Sequence, residues 1–595
     1  MASLGAEKDS AQSAKISKLL PLLAIVEHNL FQRTFSPLRQ GQQMPAGSNP
    51  LKRPLFRWLW IATLVSNIGN WIQEVANSWL MATMAPDPLM VSMAQVATSL
   101  PVFLLALPAG ALADVLDRRR LLMVTQAWMM VAAALMGLAT LQGWMNPWVL
   151  LISSFWLAVG SALNSPGWHA ITPEIVPKED LPAAVTLNGL GLSCARAIGP
   201  GLAGLVLVHL GAGKAFLLNS LSFLAVILVL RAWRRKPRVG NLPAERFLSA
   251  MRVGTQHVRH SPVLRLVLVR VGIFVWTTNC LWSLLPLLCK QEYGLGPRGY
   301  GMCLLVFGLG SIFTGTVVLP RWRQRAQVND IVSLAWLAYV PVFFVMAKAP
   351  PGLIPFFGMF WAGCCQICLL ASFHLAAQSL APAWVRARAM SVYLLVFAGA
   401  AAMGGLFWGY LARSLSLRPC LMLSGSLLLL GCITAWLAPL HTGEAYDHEP
   451  SHHWEDPEVN VDVPLQHGPI LVTVEYDIAP ENAREFVEAM EKIRRIRLRN
   501  GVLRWGLYCD LATPNQFREV YLEENWASHL RQHERVSAYE AEVAAHAYQF
   551  HRGERLPLVY HYGYCDERFP AKSADDLFEG HYPTDASNVP LWFLD

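Results

Sequence analysis

Apolar stretches of about twenty residues recur between Trp58 and Pro439, separated by short polar or basic turns. Each is long enough to cross a bilayer as a helix. Their spacing predicts twelve spans, at about 57–83, 89–112, 121–142, 147–169, 184–209 and 213–232, then 263–289, 298–319, 327–347, 352–379, 389–412 and 418–438. A longer polar loop after the sixth span divides them into two sets of six. The chain therefore reads as an all-α membrane protein with twelve transmembrane helices in two six-helix bundles, followed by a soluble α+β domain.

The domain limits follow from the same pattern. Residues 1–50 form a cytoplasmic extension whose one apolar run, LLPLLAIV from Leu19, is too short to span; Met44 is an alternative start. Residues 51–440 form the membrane domain, as halves 51–233 and 263–440 joined by the loop 234–262. Within that loop, Ala244 to His260 sets Phe247, Leu248, Met251 and Val258 beside Arg246, Arg252 and Arg259. That suits either a helix lying along the membrane interface or a plain linker. Residues 441–467 are rich in His, Asp, Glu and Pro and read as a flexible linker, with metal binding through His448, His452 and His453 as the alternative. The soluble domain occupies 468–570, and 571–595 is a C-terminal tail.

Only 15% of residues are charged and 54% are hydrophobic, against roughly 25% charged in an average soluble domain. The net charge of +7 points to no nucleic-acid partner, because the basic residues sit in short loops on alternate sides. Lys52, Arg53, Arg57, Arg118 to Arg120, Arg234, Arg235, Lys236, Arg238, Arg321, Arg323, Arg325, Arg386 and Arg388 share one side, against Lys214, Lys290 and Arg298 on the other. The positive-inside bias places the first side, with both ends of the membrane domain, in the cytoplasm. The eleven cysteines show no disulfide spacing and read as thiols. No GxxxxGK[ST] phosphate loop occurs, and no cofactor or metal centre is expected.

The first span is the least lipid-like. At 100° per residue Asn67, Asn70, Glu74, Asn77 and Ser78 share one face, which should line a cavity or pack on protein. Glu74 suits a proton carrier, since a cation and a proton would compete there. Arg196, in the middle of span five, needs a carboxylate or several carbonyls, which Glu74 or Asp114 could supply. Gly199 and Pro200 allow close packing and a bend in that span, and Arg270 reads as snorkelling. Gln366, His374 and Gln378 of span ten are the second half's expected contribution to the cavity. In LPAGALADVLDRRRLL, Gly110, Asp114, Arg118 and Arg119 form the expected gate. Asp114 is placed to meet the positive N-terminal end of span eleven, after Arg386 and Arg388, as a latch between the bundles. Gly315, Arg323 and Arg325 repeat the spacing of Gly110, Arg118 and Arg120, and parallel six-span repeats are a transporter architecture.

The stretch GALADVLDRRRLL resembles the loop between spans two and three of the major facilitator superfamily, through Gly110, Leu112, Asp114, Arg118 and Arg119; Val115 and Asp117 depart from its pattern. Gly191, Gly199, Pro200 and Gly204 resemble the span-five motif of drug/proton antiporters. SNIGNWIQEVANSWL, PEIVPKEDLPAAVTLN, ARAIGPGLAG and VRARAMSVYLLVFAGAAAMGGLFWG resemble the enterobactin-exporter-like branch, also called transmembrane secretion effectors. The resemblance implies the major facilitator fold and a secondary transporter. It would export a siderophore-like metabolite or amphipathic drug by proton antiport, with lipid, a small-molecule substrate and protons as partners. The basic residue that many antiporters carry in span four is absent here, where Phe155 or Trp156 stands, which shifts weight to Glu74 and Arg196. Uptake by the same fold is the alternative, as is a transporter-derived scaffold or sensor acting through the soluble domain.

From Gly468, strands and helices follow in the order β-α-β-β-α-β, which is ferredoxin-like. FREVYLEENWASHLRQH resembles the antibiotic-biosynthesis-monooxygenase type of dimeric α/β barrel, over too short a stretch to carry over catalytic residues. His529 and His533 stand at i and i+4 on an expected helix, where they read as exposed, since two ligands make no metal site. The domain reads as a dimerising or ligand-sensing module and not an enzyme, with a homodimer formed through it.

Overall fold

The structure is a computed structural model that describes residues 50–177, 179–233, 247–382, 384–437, 440, 459, 463–552 and 557–565. The N-terminal extension, the linker histidines, the basic run 234–238 and the tail 571–595 lie outside the described residues. Among the described residues, ten helices are long and apolar enough to cross a membrane. One of them, Leu181–Ala232, is broken at Gly211, whose φ of 78° reverses the chain and makes two passes of it. The polar Pro54–Met84 helix supplies the remaining pass. The twelve expected spans are thus all present. They are Pro54–Met84, Pro88–Val115, Arg118–Leu141, Pro147–Ile175, the two arms of Leu181–Ala232, Pro262–Leu287, Pro297–Phe313, Val328–Lys348, Ile354–Ser379, Arg386–Leu415 and Leu417–Leu437. Spans seven and eight continue as π-helical turns at Leu288–Glu292 and Thr314–Val318.

Local chemistry sets where the spans begin. Spans one, two, four, seven and eight open on a proline, whose missing N–H costs nothing in a first turn. Asp117 and Asn146 cap spans three and four by accepting from the Arg120 and Val149 amides. On span three, Val124, Val131, Leu135 and Leu138 form one exposed apolar stripe, as a lipid-facing helix requires.

The two halves meet along two seams, span two against span eleven and span five against span eight. Lipid supplies no hydrophobic drive between helices, so close backbone approach has to provide the contact. A Cβ at Gly301 would stand 2.7 Å from the Pro200 carbonyl oxygen, and one at Gly308 would stand 2.9 Å from the Ala197 Cα. Opposite the basic face the halves are also pinned together by polar contacts. Lys290 donates to the Ala82 carbonyl at 3.0 Å, Gln291 to Pro86 at 3.3 Å, and Arg413 pairs with Asp87 at 3.5 Å. That end is closed.

The soluble domain is a four-stranded antiparallel sheet of β1 (Ile470–Asp477), β2 (Arg504–Cys509), β3 (Gln516–Glu523) and β4 (Leu558–Gly563), in the order β2-β3-β1-β4. Helix Ala483–Arg499 crosses from β1 to β2, burying Phe486, Met490 and Ile493 at helical spacing against Val472, Val474 and Tyr476. The second crossover is two helices, Trp526–Arg535 and Ala538–Tyr548, parted by a capping box at Ser537 and Glu540. A buried ion pair anchors the core. Arg497 Nε meets Glu519 Oε1 at 3.0 Å, and Glu519 also accepts from Tyr476 and Trp505.

The loop between the halves folds as helix Phe247–Arg259. Its Val253, His257 and Val258 are buried by protein, so it is neither a helix lying on the membrane interface nor a plain linker. Gly254 packs against the Arg388 side chain of span eleven on one side, and Val253 meets Gly501 of the soluble domain on the other. Arg252 pairs with Glu524 at 3.4 Å, and Arg535 lies 4.4 Å over the Trp384 ring beside span eleven. The soluble domain therefore sits on the basic face of the membrane domain.

Candidate functional site

The polar face of span one is divided by the fold. Glu74 lies deep among the helices yet is solvent-accessible, so it faces the space between the halves. Arg196 of span five, in the same half, does the same, and the two interact electrostatically. Asn70 is also accessible, and Asn67 and Ser78 are half-buried. Beside Ser78 the Tyr300 ring of span eight stacks on Trp79 at 5.9 Å. Asn77 instead is buried and accepts from Ser154 of span four at 2.9 Å, so it knits the bundle and does not line the space.

Two residues that periodicity does not single out complete this region. Asn219 of span six donates to Gln73 at 2.6 Å and to Asn70 at 3.2 Å, and Ser222 donates back to Asn219 at 2.9 Å. A lone amide in an apolar span is the signal that could have found Asn219.

The second half is filled differently. Gln366 accepts from Trp282 at 3.1 Å and from Tyr339 at 3.0 Å, so its carbonyl oxygen is committed to span-to-span bonds. His374 and Gln378 bond each other at 2.9 Å, with the His374 ring 5.6 Å from Tyr393 of span eleven. Arg270 does not snorkel. It is fully buried and donates to the Thr434 carbonyl and to Asn329, joining spans seven, nine and twelve.

The gate residues occupy the basic face. Arg118 pairs with Glu174 at 2.7 Å, and Arg119 donates to the Leu230 and Arg231 carbonyls at 2.9 and 2.8 Å, tying span three to the ends of spans four and six. These bonds stay within the first half. Arg386 donates to Ala381, and Gly110 faces Ser391 of span eleven, where an added Cβ would stand 3.7 Å from the hydroxyl. Gly199 packs on Trp71 and Pro200 against Gly301. The Asp114 side chain lies outside the described residues.

The sequence profile of the transmembrane secretion effectors matches residues 46–568, through both halves and the soluble domain. The chain belongs to that family. The chain is 25% identical over 256 residues to the staphyloferrin A transporter of Staphylococcus aureus (strain NCTC 8325 / PS 47), a match covering 43% of the chain but only 64% of that relative's length. It is 23% identical over 410 residues to the multidrug efflux pump Tap of Mycolicibacterium fortuitum, covering 66% of the chain and 98% of that protein. Its fold is shared with a bacterial homologue of the human lysosomal transporter Spinster in an inward-facing, unoccupied conformation. That structure gives a TM-score of 0.52 at 14% identity, covering 66% of this chain and 98% of that one. The chain is thus a multi-pass inner-membrane protein of the major facilitator fold.

Proposed function

We propose that this transporter exports a small organic molecule, siderophore-like or amphipathic, in exchange for protons. The observation that carries this reading is Glu74 interacting with Arg196, both on the first half and both accessible to solvent deep among the helices. A carboxylate there has two partners to choose from, a proton or a cationic group. Substrate arrival or movement of Arg196 exchanges one for the other, which is what antiport needs. The names of the relatives, a staphyloferrin A transporter and a multidrug efflux pump, support the substrate classes.

With the basic face in the cytoplasm, the pinned Ala82–Lys290 and Asp87–Arg413 end faces outward, and the central space opens inward. Gly110, Asp114, Arg386 and Arg388 then bracket the cytoplasmic meeting of spans two and eleven, where the bundles close during the cycle. Asn67 and Asn70 line the path on the first half, and His374 and Gln378 on the second.

The docking of the soluble domain through Arg252–Glu524 and Arg535–Trp384 favours a second reading, in which that domain governs or performs the work. Exposed Leu558, Val559, Tyr560 and Tyr562 on its edge strand suit contact with a second copy. The test measures retention of a catecholate siderophore, ethidium and a macrolide in cells carrying the intact chain, Glu74→Gln, or a deletion of 468–595, with and without an uncoupler. Export predicts uncoupler-sensitive loss of at least one compound, abolished by Glu74→Gln and retained after the deletion. Equal retention in all strains overturns it, and loss only on deletion favours the second reading.

A further inference from the structure

The soluble domain holds a group of imidazoles that neither transport nor docking uses. Helix Trp526–Arg535 carries His529 and His533 one turn apart, and β4 brings His561 to the same side of that helix. The ligating nitrogens of the three lie within 4.8 Å of one another. Ring centroids are 4.8 Å apart for His529 and His533 and 4.7 Å for His529 and His561. We propose that His529, His533 and His561 form a binding site for a borderline divalent transition ion, of which zinc is the representative.

His529 is fully buried, and both of its ring nitrogens lack a hydrogen-bond partner, as does His561 Nε2. A buried polar atom without a partner costs about 1–3 kcal/mol, and such atoms are rare in folded proteins. Several of them meeting at one point are explained together by a ligand that takes lone pairs. A hydrogen-bonded core would instead show His529 bonded to a carbonyl or a carboxylate. Gln532, close by on the same helix, is likewise buried with both amide atoms unpaired. It provides a polar group beside the site for a water or outer ligand.

The chemistry selects the ion. Three imidazoles suit zinc, copper, nickel or cobalt and exclude calcium and magnesium, which take oxygen ligands. A tetrahedral zinc holds its nitrogens about 3.4 Å apart, so side-chain rotation has only a small closing movement to make. The fourth position stays open to water or a ligand donor. Trp526 lies 5.3 Å from His529 and stands edge-on 6.0 Å from His561, walling the site. The sequence offers His529 and His533 alone; the third ligand comes from VYHYGY, about thirty residues on, and only the sheet order brings it in.

The test uses the full chain in detergent, purified through a tag without histidine, stripped with EDTA, loaded with Zn(II) and desalted. The expected result is one zinc per chain and, on loading with Co(II) instead, the intense visible absorption of a four-coordinate ion. His533→Gln and His561→Gln should each lose the bound metal, a loss beyond the roughly 10–100-fold that outer-shell changes cause. Replacing His448, His452 and His453 together by Gln should leave both signals intact. The proposal is overturned if the intact chain retains no zinc, if both single variants retain it, or if the metal leaves with the linker histidines. Where a variant does not fold, the Co(II) spectrum of the intact chain still decides between a four-coordinate site and none.

Discussion

The two six-helix halves repeat one plan and fill it with opposite chemistry. The first half is knitted by amides and hydroxyls, with Asn219 bonded to Gln73 and Asn70, Asn77 to Ser154, and Asn164 to Thr125. The second is packed with rings, where Phe274 touches Trp336, Tyr339 and Phe373 at 5.4–6.2 Å and Trp336 donates to the Leu428 carbonyl at 2.9 Å. The cations differ in the same way. Arg196 is accessible and faces a carboxylate, whereas Arg270 is sealed among backbone and amide acceptors. Aromatic packing has few alternative arrangements. Amides can exchange partners at little cost, with each interhelical bond worth on average about 0.6 kcal/mol in a bilayer. The first half is therefore held more by exchangeable polar bonds and the second more by fixed ring packing.

Such a division separates stability from flux, and substitutions can test it. Arg270→Ala strands two acceptors and opens a cavity, so it should destabilise by on the order of 4 kcal/mol. Melting in detergent should show the loss, with flux falling only in proportion to folded protein. Gly301→Leu forces the span-five seam apart and should cost about 3 kcal/mol, with transport lost because the halves no longer meet. Asn219→Ala should cost only about 1–2 kcal/mol for its bonds to Gln73 and Asn70 yet reduce flux several-fold more than melting predicts. Trp336→Phe removes one indole bond, about 0.6 kcal/mol, and should leave flux per folded molecule unchanged. If Asn219→Ala and Trp336→Phe behave alike, the division of labour between the halves fails.

Much of this architecture is legible in the sequence because spans and basic loops are set by bilayer thickness and charge. All twelve passes lie where hydropathy puts them, even where Gly211 alone divides two of them. Pattern places residues on faces without saying what stands opposite. Asn77 shares an arc with Glu74, but span four supplies Ser154 to bury it. Arg270 reads as snorkelling from the sequence because its acceptors, Thr434 and Asn329, are remote along the chain. The loop helix Phe247–Arg259 is legible as amphipathic, but its covering partners are not. The same limit hides His561 from the two helix histidines.

The proposed mechanism turns on Glu74 exchanging a proton for a cationic partner during export. Its most direct test loads inverted membrane vesicles with ethidium under an imposed proton gradient and compares the intact chain with Glu74→Gln, at matched amounts of folded protein. Proton exchange at Glu74 predicts gradient-driven accumulation by the intact chain and none above the vesicle background by Glu74→Gln. Accumulation by Glu74→Gln that still follows the gradient would contradict it.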